Sequence, residues 1–154
     1  MHSKKKSSFS YENPENSPGY LLGRASTIWH QAIKSRLDPL NINLSCFSIL
    51  AAILWHEEQG NEVRQSNLIQ LTKLDKMTVS KSIRSIEKTG FITRREDPCD
   101  ARARVIKLTA KGRRFSKEAV RCVEEEDKIF FSTLNQKNQD LLKSVLKILI
   151  HPPA

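Results

Sequence analysis

The sequence predicts a mainly α-helical fold with one small β-ribbon, and three observations predict it. Apolar residues recur at helical spacing along most of the 154-residue chain, between recognisable caps. Two short segments, FITRR at 91–95 and RVIKL at 104–108, read as paired strands around the turn residues Asp97, Pro98 and Asp100. Basic charge gathers in the same region: Lys76 through Arg114 holds 12 Lys and Arg against 4 Asp and Glu, a net of +8 in a chain that totals +9. A charge excess confined to one helix and one hairpin is the footprint of a surface that neutralises phosphates.

Each element follows from local signals. Residues 1–16 are polar, with Lys4, Lys5 and Lys6 in a row, and are expected to form a disordered basic arm. Ser17 as N-cap and Pro18 at the first helical position start a helix whose apolar surface is Tyr20, Leu21, Ile28, Trp29, Ile33 and Leu37, with Pro39 just beyond its end. The next helix is expected to begin after Ser45 and run through CFSILAAILWHEEQ to stop before Gly60; apolar almost all round, it is the central one. A short helix over 65–72 turns Leu68, Ile69 and Leu71 inward.

Asp75 then caps a helix with Val79, Ile83 and Ile86 as one buried stripe, ended by Gly90. Its opposite face carries Lys76, Met77, Ser80, Lys81, Arg84 and Lys88. Two helices joined by a turn of about three or four residues, the second basic on its free face, form the helix-turn-helix pattern, and the ribbon after them supplies a wing. Thr109 caps a helix expected to reach Thr133, with Phe115, Ala119, Cys122, Val123 and Phe130 on one side. A last helix over 136–150 carries Leu141, Leu142, Val145, Leu146, Leu149 and Ile150. A winged helix-turn-helix closes its core with three helices and a ribbon, so that last stripe wants a partner: helix 1 of its own chain, or a symmetric copy, which is the simpler solution. The expected division is 1–16 arm, 17–40 N-terminal helix contributing to dimerisation, 41–112 winged helix-turn-helix DNA-binding domain, and 113–154 C-terminal dimerisation helices.

Composition narrows the function further. No apolar run approaches the roughly 20 residues of a bilayer span, and no apolar stretch follows the N-terminal lysines, so neither a membrane partner nor a secretory signal is expected. Cys46, Cys99 and Cys122 are odd in number and widely scattered, with no Cys-x-x-Cys pair, which predicts no disulfide framework, no zinc and a reduced, cytoplasmic protein. WHEEQ at 55–59 begins like His-Glu-x-x-His but lacks the second histidine, and no phosphate loop or nucleophile elbow is present. A double-stranded-DNA-binding protein without cofactor is expected, not an enzyme. A winged helix used for protein contacts would show a neutral or acidic face instead of Lys76, Lys81, Arg84 and Lys88.

The chemistry of the proposed face divides in two. Met77, Thr78, Ser80 and Lys81 lie at the N-terminal half of the basic helix, where base edges are reached: Lys81 can donate to guanine O6 or N7, hydroxyls serve either base type, and Met77 suits a thymine methyl. Arg64, Lys73, Arg84 and Lys88 are placed for phosphates, which fix position without reading sequence.

DPCDARARVIKLTAKG at 97–112 is similar to the Asp-Pro-x-Asp-x-Arg…Leu-Thr-x-x-Gly wing signature of the MarR family of bacterial transcriptional regulators. DKMTVSKSIRSIEKTGFITRR at 75–95 resembles that family's recognition helix and first wing strand, and SPGYLLGRASTIWHQAI at 17–33 the opening helix of one subgroup. The resemblance, over about residues 17–150, implies a winged-helix homodimer with interlocked terminal helices, a recognition helix in the major groove and a wing in the minor groove. It also implies a repressor of a pseudo-palindromic operator, released in many members by a small anionic or phenolic ligand. By the same resemblance Arg102 pairs with Asp100 to stiffen the wing, Arg95 and Arg104 approach the backbone or minor groove, and Trp29, His30, Phe47 and Trp55, with His56, line a candidate pocket for a phenolic or carboxylate effector. Two positions depart from the pattern. Ala101 stands where a basic residue usually enters the minor groove. Arg64 replaces the Thr or Ser cap of the third helix, which costs about 1 kcal/mol of capping and offers a cation to a phosphate instead. Cys99, at the wing tip beside Arg95 and Arg102 in sequence, is a candidate responsive thiol.

Overall fold

In a computed structural model of the chain, residues 8–97 and 100–152 are described, 100–102 by their backbone alone. Helix α1 (Pro18–Leu37) opens as its sequence predicts, with Ser17 Oγ accepting from the Tyr20 N–H. The expected arm is only partly within the described residues: its lysines lie outside them, and Pro14–Asn16 forms a 3-10 turn capped by Asn13. Helix α2 (Leu44–Glu58) starts earlier than expected because Asn43, as good a cap as serine, accepts from the Cys46 N–H at 2.9 Å and puts Ser45 inside the first turn.

A two-residue strand β1 (Val63–Arg64), too short to leave a pattern in the sequence, leads into α3 (Gln65–Thr72) and α4 (Lys76–Lys88). Strands β2 (Ile92–Asp97) and β3 (Asp100–Leu108) form the wing. The antiparallel sheet has the order β1-β3-β2, with Val63 opposite Ile106, Ile92 opposite Leu108 and a register shift between Glu96 and Asp97. Helices α5 (Ala110–Phe131) and α6 (Gln136–Ile150) complete the chain, capped by Thr109 and Asn135.

The main core joins Ile49, Leu50 and Ile53 of α2 to Leu68, to the α4 stripe Val79, Ile83 and Ile86, and to the sheet residues Val63, Ile92 and Ile106. Leu71, expected inward, is 45% exposed, because Leu68 and Ile69 already fill the face α3 turns to the core. A second cluster packs Ile33 and Leu37 of α1 against Val123 of α5, with Trp29 and Phe47 at its edge. Helix α5 serves both: Phe115 lies against the winged-helix core and stacks on Phe91 at 4.2 Å, while Val123 lies two turns further along. The packing therefore changes inside α5 and not at residue 112.

Helix α5 does fold back on α1 of its own chain. The Trp29 indole N–H donates to Asp127 Oδ1 at 2.7 Å and Arg36 pairs with Glu126 at 2.6 Å. Helix α6 does not: it contributes no buried residue, and Leu141, Val145, Ile148, Leu149 and Ile150 are all exposed, as are Leu21, Leu22 and Ile28 on α1. Among the described residues no single helix is long and apolar enough to cross a membrane.

Candidate nucleic-acid interface

Helix α4 shows one buried stripe and one free stripe. Val79, Ser82, Ile83 and Ile86 face the core. Met77, Lys81, Arg84 and Lys88, spaced i, i+4, i+7 and i+11, form a single exposed line on the other side, with Met77 66% exposed. Lys76, Lys81, Arg84 and Lys88 make no ion pair among the described residues. An exposed cationic ridge whose charges are not taken up in ion pairs keeps them available for a polyanion.

The start of the ridge is held firmly. Asp75 accepts from the Thr78 backbone N–H at 2.9 Å and from the Thr78 hydroxyl at 2.6 Å, and the hydroxyl contact above all lowers the Asp75 carboxyl below its ordinary range. Thr78 has thus committed its proton to the cap and can offer a base only an acceptor. Ser80 Oγ accepts from Gln65 Nε2 at 3.0 Å, which ties α3 to α4 and leaves the Ser80 hydroxyl proton to donate. Arg84 folds its Nε onto the Ser80 carbonyl at 3.2 Å, so its terminal nitrogens lie along the helix surface. Lys73 adopts a left-handed conformation (φ 55°) that closes α3 and begins the turn between the two helices.

The wing differs from the helix in its electrostatics. Arg95 and Lys107 share Glu62, at 2.8 and 3.2 Å; Arg104 pairs with Glu96 at 2.8 Å; Arg94 pairs with Glu87 of α4. The Lys107 and Arg94 contacts hold the carboxyls of Glu62 and Glu87 below their ordinary range. Lowered carboxylates, Asp75 included, contribute to stability above the ordinary carboxylate range, and the contribution is lost as pH falls through their lowered values. Of the cations counted along the sequence, those of α4 therefore stand without ion pairs among the described residues, while Arg94, Arg95, Arg104 and Lys107 of the wing stand beside acids.

Arg64 is the clearest departure from the expected role. Its Nε donates to Asp97 Oδ2 at 2.5 Å, with the Asp97 side chain 3% exposed and that of Arg64 47% exposed. The missing cap at position 64 is offset in part by Asn67, whose Oδ1 accepts from the Arg64 N–H at 2.9 Å. The side chains of Asp100, Ala101 and Arg102, and Cys99 altogether, lie outside the described residues. Gln65 and Glu62, which carried no signal in the sequence, and Asp97, which was read only as a turn residue, are the residues that organise this surface.

Three of the four candidate effector residues come together. Trp29 and Phe47 pack on the same cluster, and the His30 ring lies 5.0 Å from that of Trp29. His30 also lines a surface depression of about 600 Å³ with Lys34, Leu37, Asn41 and Leu44. Trp55 does not join them: it is 64% exposed, and eight residues beyond Phe47 on one helix place it about 12 Å further along the axis. Of the described thiols, Cys46 is buried and burial pushes its ionisation up, which makes it inert.

Residues 38–126 match the family model described as ArnR1-like, winged-helix domain. The chain belongs to this winged-helix family. The HTH-type transcriptional regulator YdcH of Bacillus subtilis is 29% identical to it over 141 residues, 92% of this chain and 95% of YdcH. A MarR-family transcriptional regulator from Rhodococcus sp. RHA1 shares the winged-helix fold with a TM-score of 0.80 at 22% identity, over 93% of this chain and 99% of that one. BpsR of Bordetella bronchiseptica, whose DNA binding is regulated by 6-hydroxynicotinic acid, superposes with a TM-score of 0.82 at 21% identity, over 94% and 100%. The winged-helix fold that the MarR resemblance implied is thus borne out, and the fold shared with these neighbours extends over the terminal helices as well.

Proposed function

We propose that this winged-helix protein is a homodimeric, sequence-specific DNA-binding repressor of the cytoplasm, with no catalytic role, that docks α4 in the major groove. The observation that carries the reading is the exposed line of Lys81, Arg84 and Lys88, without an ion pair among the described residues, opposite the buried stripe of the same helix. Residues 41–112 and the first half of α5 form the DNA-binding unit; α1, the rest of α5 and α6 form the dimerisation unit, because α6 leaves an apolar face uncovered. Lys81, Met77 and Ser80 read base edges, Thr78 accepts, and Lys76, Arg84 and Lys88 hold phosphates.

Binding of fluorescent duplexes tests the docking. Lys81→Ala costs roughly 1–3 kcal/mol at a cognate site and relaxes the base preference there. Arg84→Ala weakens all sequences alike and lowers the slope of log affinity against log salt by about one. Two mutants with unchanged isotherms would show that α4 is not the reading element.

The effector site is proposed at Trp29, His30 and Phe47, without Trp55, for an aromatic acid of the kind BpsR responds to. Since the chain has two tryptophans, Trp55→Phe leaves Trp29 as the sole reporter. Its emission is expected to be quenched by a hydroxylated aromatic carboxylate, in step with loss of DNA binding. Emission unmoved at saturating acid would remove this site.

A further inference from the structure

Residues 64 and 65 are neighbours that reach in different directions. Gln65 Nε2 donates to Ser80 of the recognition helix at 3.0 Å, and Arg64 Nε donates to Asp97 at the end of β2 at 2.5 Å. Arg64 is at once a strand residue opposite Val105 of β3 and the residue before the first turn of α3, so the two contacts share one short, doubly anchored piece of backbone. Asp97 sits where the wing register shifts, the place where a two-stranded ribbon bends most easily, and it is nearly fully buried.

We propose that Arg64 and Gln65 form a two-way clamp that sets the angle of the wing to α4, which makes Arg64 a positioning residue for DNA binding and not a phosphate contact. The proposal rests on the DNA-binding reading above for its consequence, though not for the clamp itself. A buried carboxylate with a charge-assisted hydrogen bond resists rearrangement, because breaking that bond leaves charge in a poorly hydrated site. The helix and the wing then present themselves to a duplex as one rigid body, and the wing does not have to be ordered on binding.

Two variants separate positioning from charge. Arg64→Thr removes the bond while supplying α3 with a hydroxyl cap. Asp97→Asn removes a negative charge next to the proposed polyanion site and the charge that holds Arg64 Nε, so simple electrostatics predicts tighter DNA binding, whereas the clamp predicts weaker. In the DNA-free protein, amide hydrogen exchange in β2 and β3 near residue 97 is expected to speed up about tenfold in both variants, the size set by one lost charge-assisted hydrogen bond. Exchange in α2 and α4 stays as in the parent, and Arg64→Lys, which keeps a charged donor, recovers most of the protection. Affinity for a bound duplex falls roughly tenfold in both variants by the same reasoning. Unchanged wing exchange, acceleration spread equally over α2, or tighter binding by Asp97→Asn would each overturn the clamp. A parent protein that binds no duplex at low salt would defeat the DNA reading, while the exchange data would still decide the clamp.

Discussion

Gly112→Ala is expected to lower the melting temperature by about 10 °C, against the sign helix propensity assigns to it. Alanine inside a helix is ordinarily better than glycine by about 1 kcal/mol. Here a Cβ on residue 112 would lie 1.8 Å from the Phe91 carbonyl oxygen, 2.6 Å from its carbon and 2.9 Å from its Cα. None of these atoms can swing aside, since they are backbone. The Phe91 carbonyl is also fixed by the Thr109 N–H at 2.9 Å, and the Phe91 ring is stacked on Phe115 and covered by Lys111 at 5.0 Å. Relief requires the start of α5 to move off the root of the wing, which disturbs the Thr109 cap and the Phe91–Phe115 stack together. A cost of about 3 kcal/mol, the upper end for overpacking, corresponds to roughly 6–12 °C in a chain of this length. Thermal unfolding followed by circular dichroism checks it, and a melting temperature equal to or above the parent's would show that α5 is not in contact with the Phe91 backbone.

The second large effect is expected from Leu141→Glu/Ile148→Glu in α6. These side chains are 61% and 59% exposed in the single chain, so the substitutions remove little that holds the subunit together. In the two-fold dimer proposed above both copies of α6 lie in the interface, so four carboxylates would be buried there without partners, at several kcal/mol each. The variant is expected to scatter light as a monomer at micromolar concentration. Its affinity for a two-half-site operator falls by about a hundredfold or more, because the second half-site is no longer reached within one molecule. A dimer of unchanged operator affinity would mean that α6 packs elsewhere.

Local chemistry made most of the helices legible. Asp75, Thr109 and Ser17 each cap the helix their sequence position predicted, and α3 and α6 keep the predicted limits. The start of α2 was misplaced because Asn43 and Ser45 are both competent caps, and nothing local chooses between them. Strand β1 could not be read, since two residues carry no periodicity and exist as a strand only by pairing with β3.

The site was legible in its residue types and not in its pairings. Counting charge from Lys76 to Arg114 misses Glu62, which enters from outside that window to neutralise Arg95 and Lys107. Arg64 and Asp97 are 33 positions apart, and only the fold brings them together. Trp55 passed for a pocket residue by its chemistry, yet its height on α2 keeps it from Trp29 and His30. Partnership across the fold is what sequence spacing leaves out.

The most direct measurement is the selection of duplexes bound by the full chain from a random pool at low ionic strength. A dimer that lays one α4 in each of two successive major grooves is expected to enrich an inverted repeat whose half-site centres lie about 10 bp apart. A pool that stays unenriched, or that yields a single unrepeated element, would contradict it.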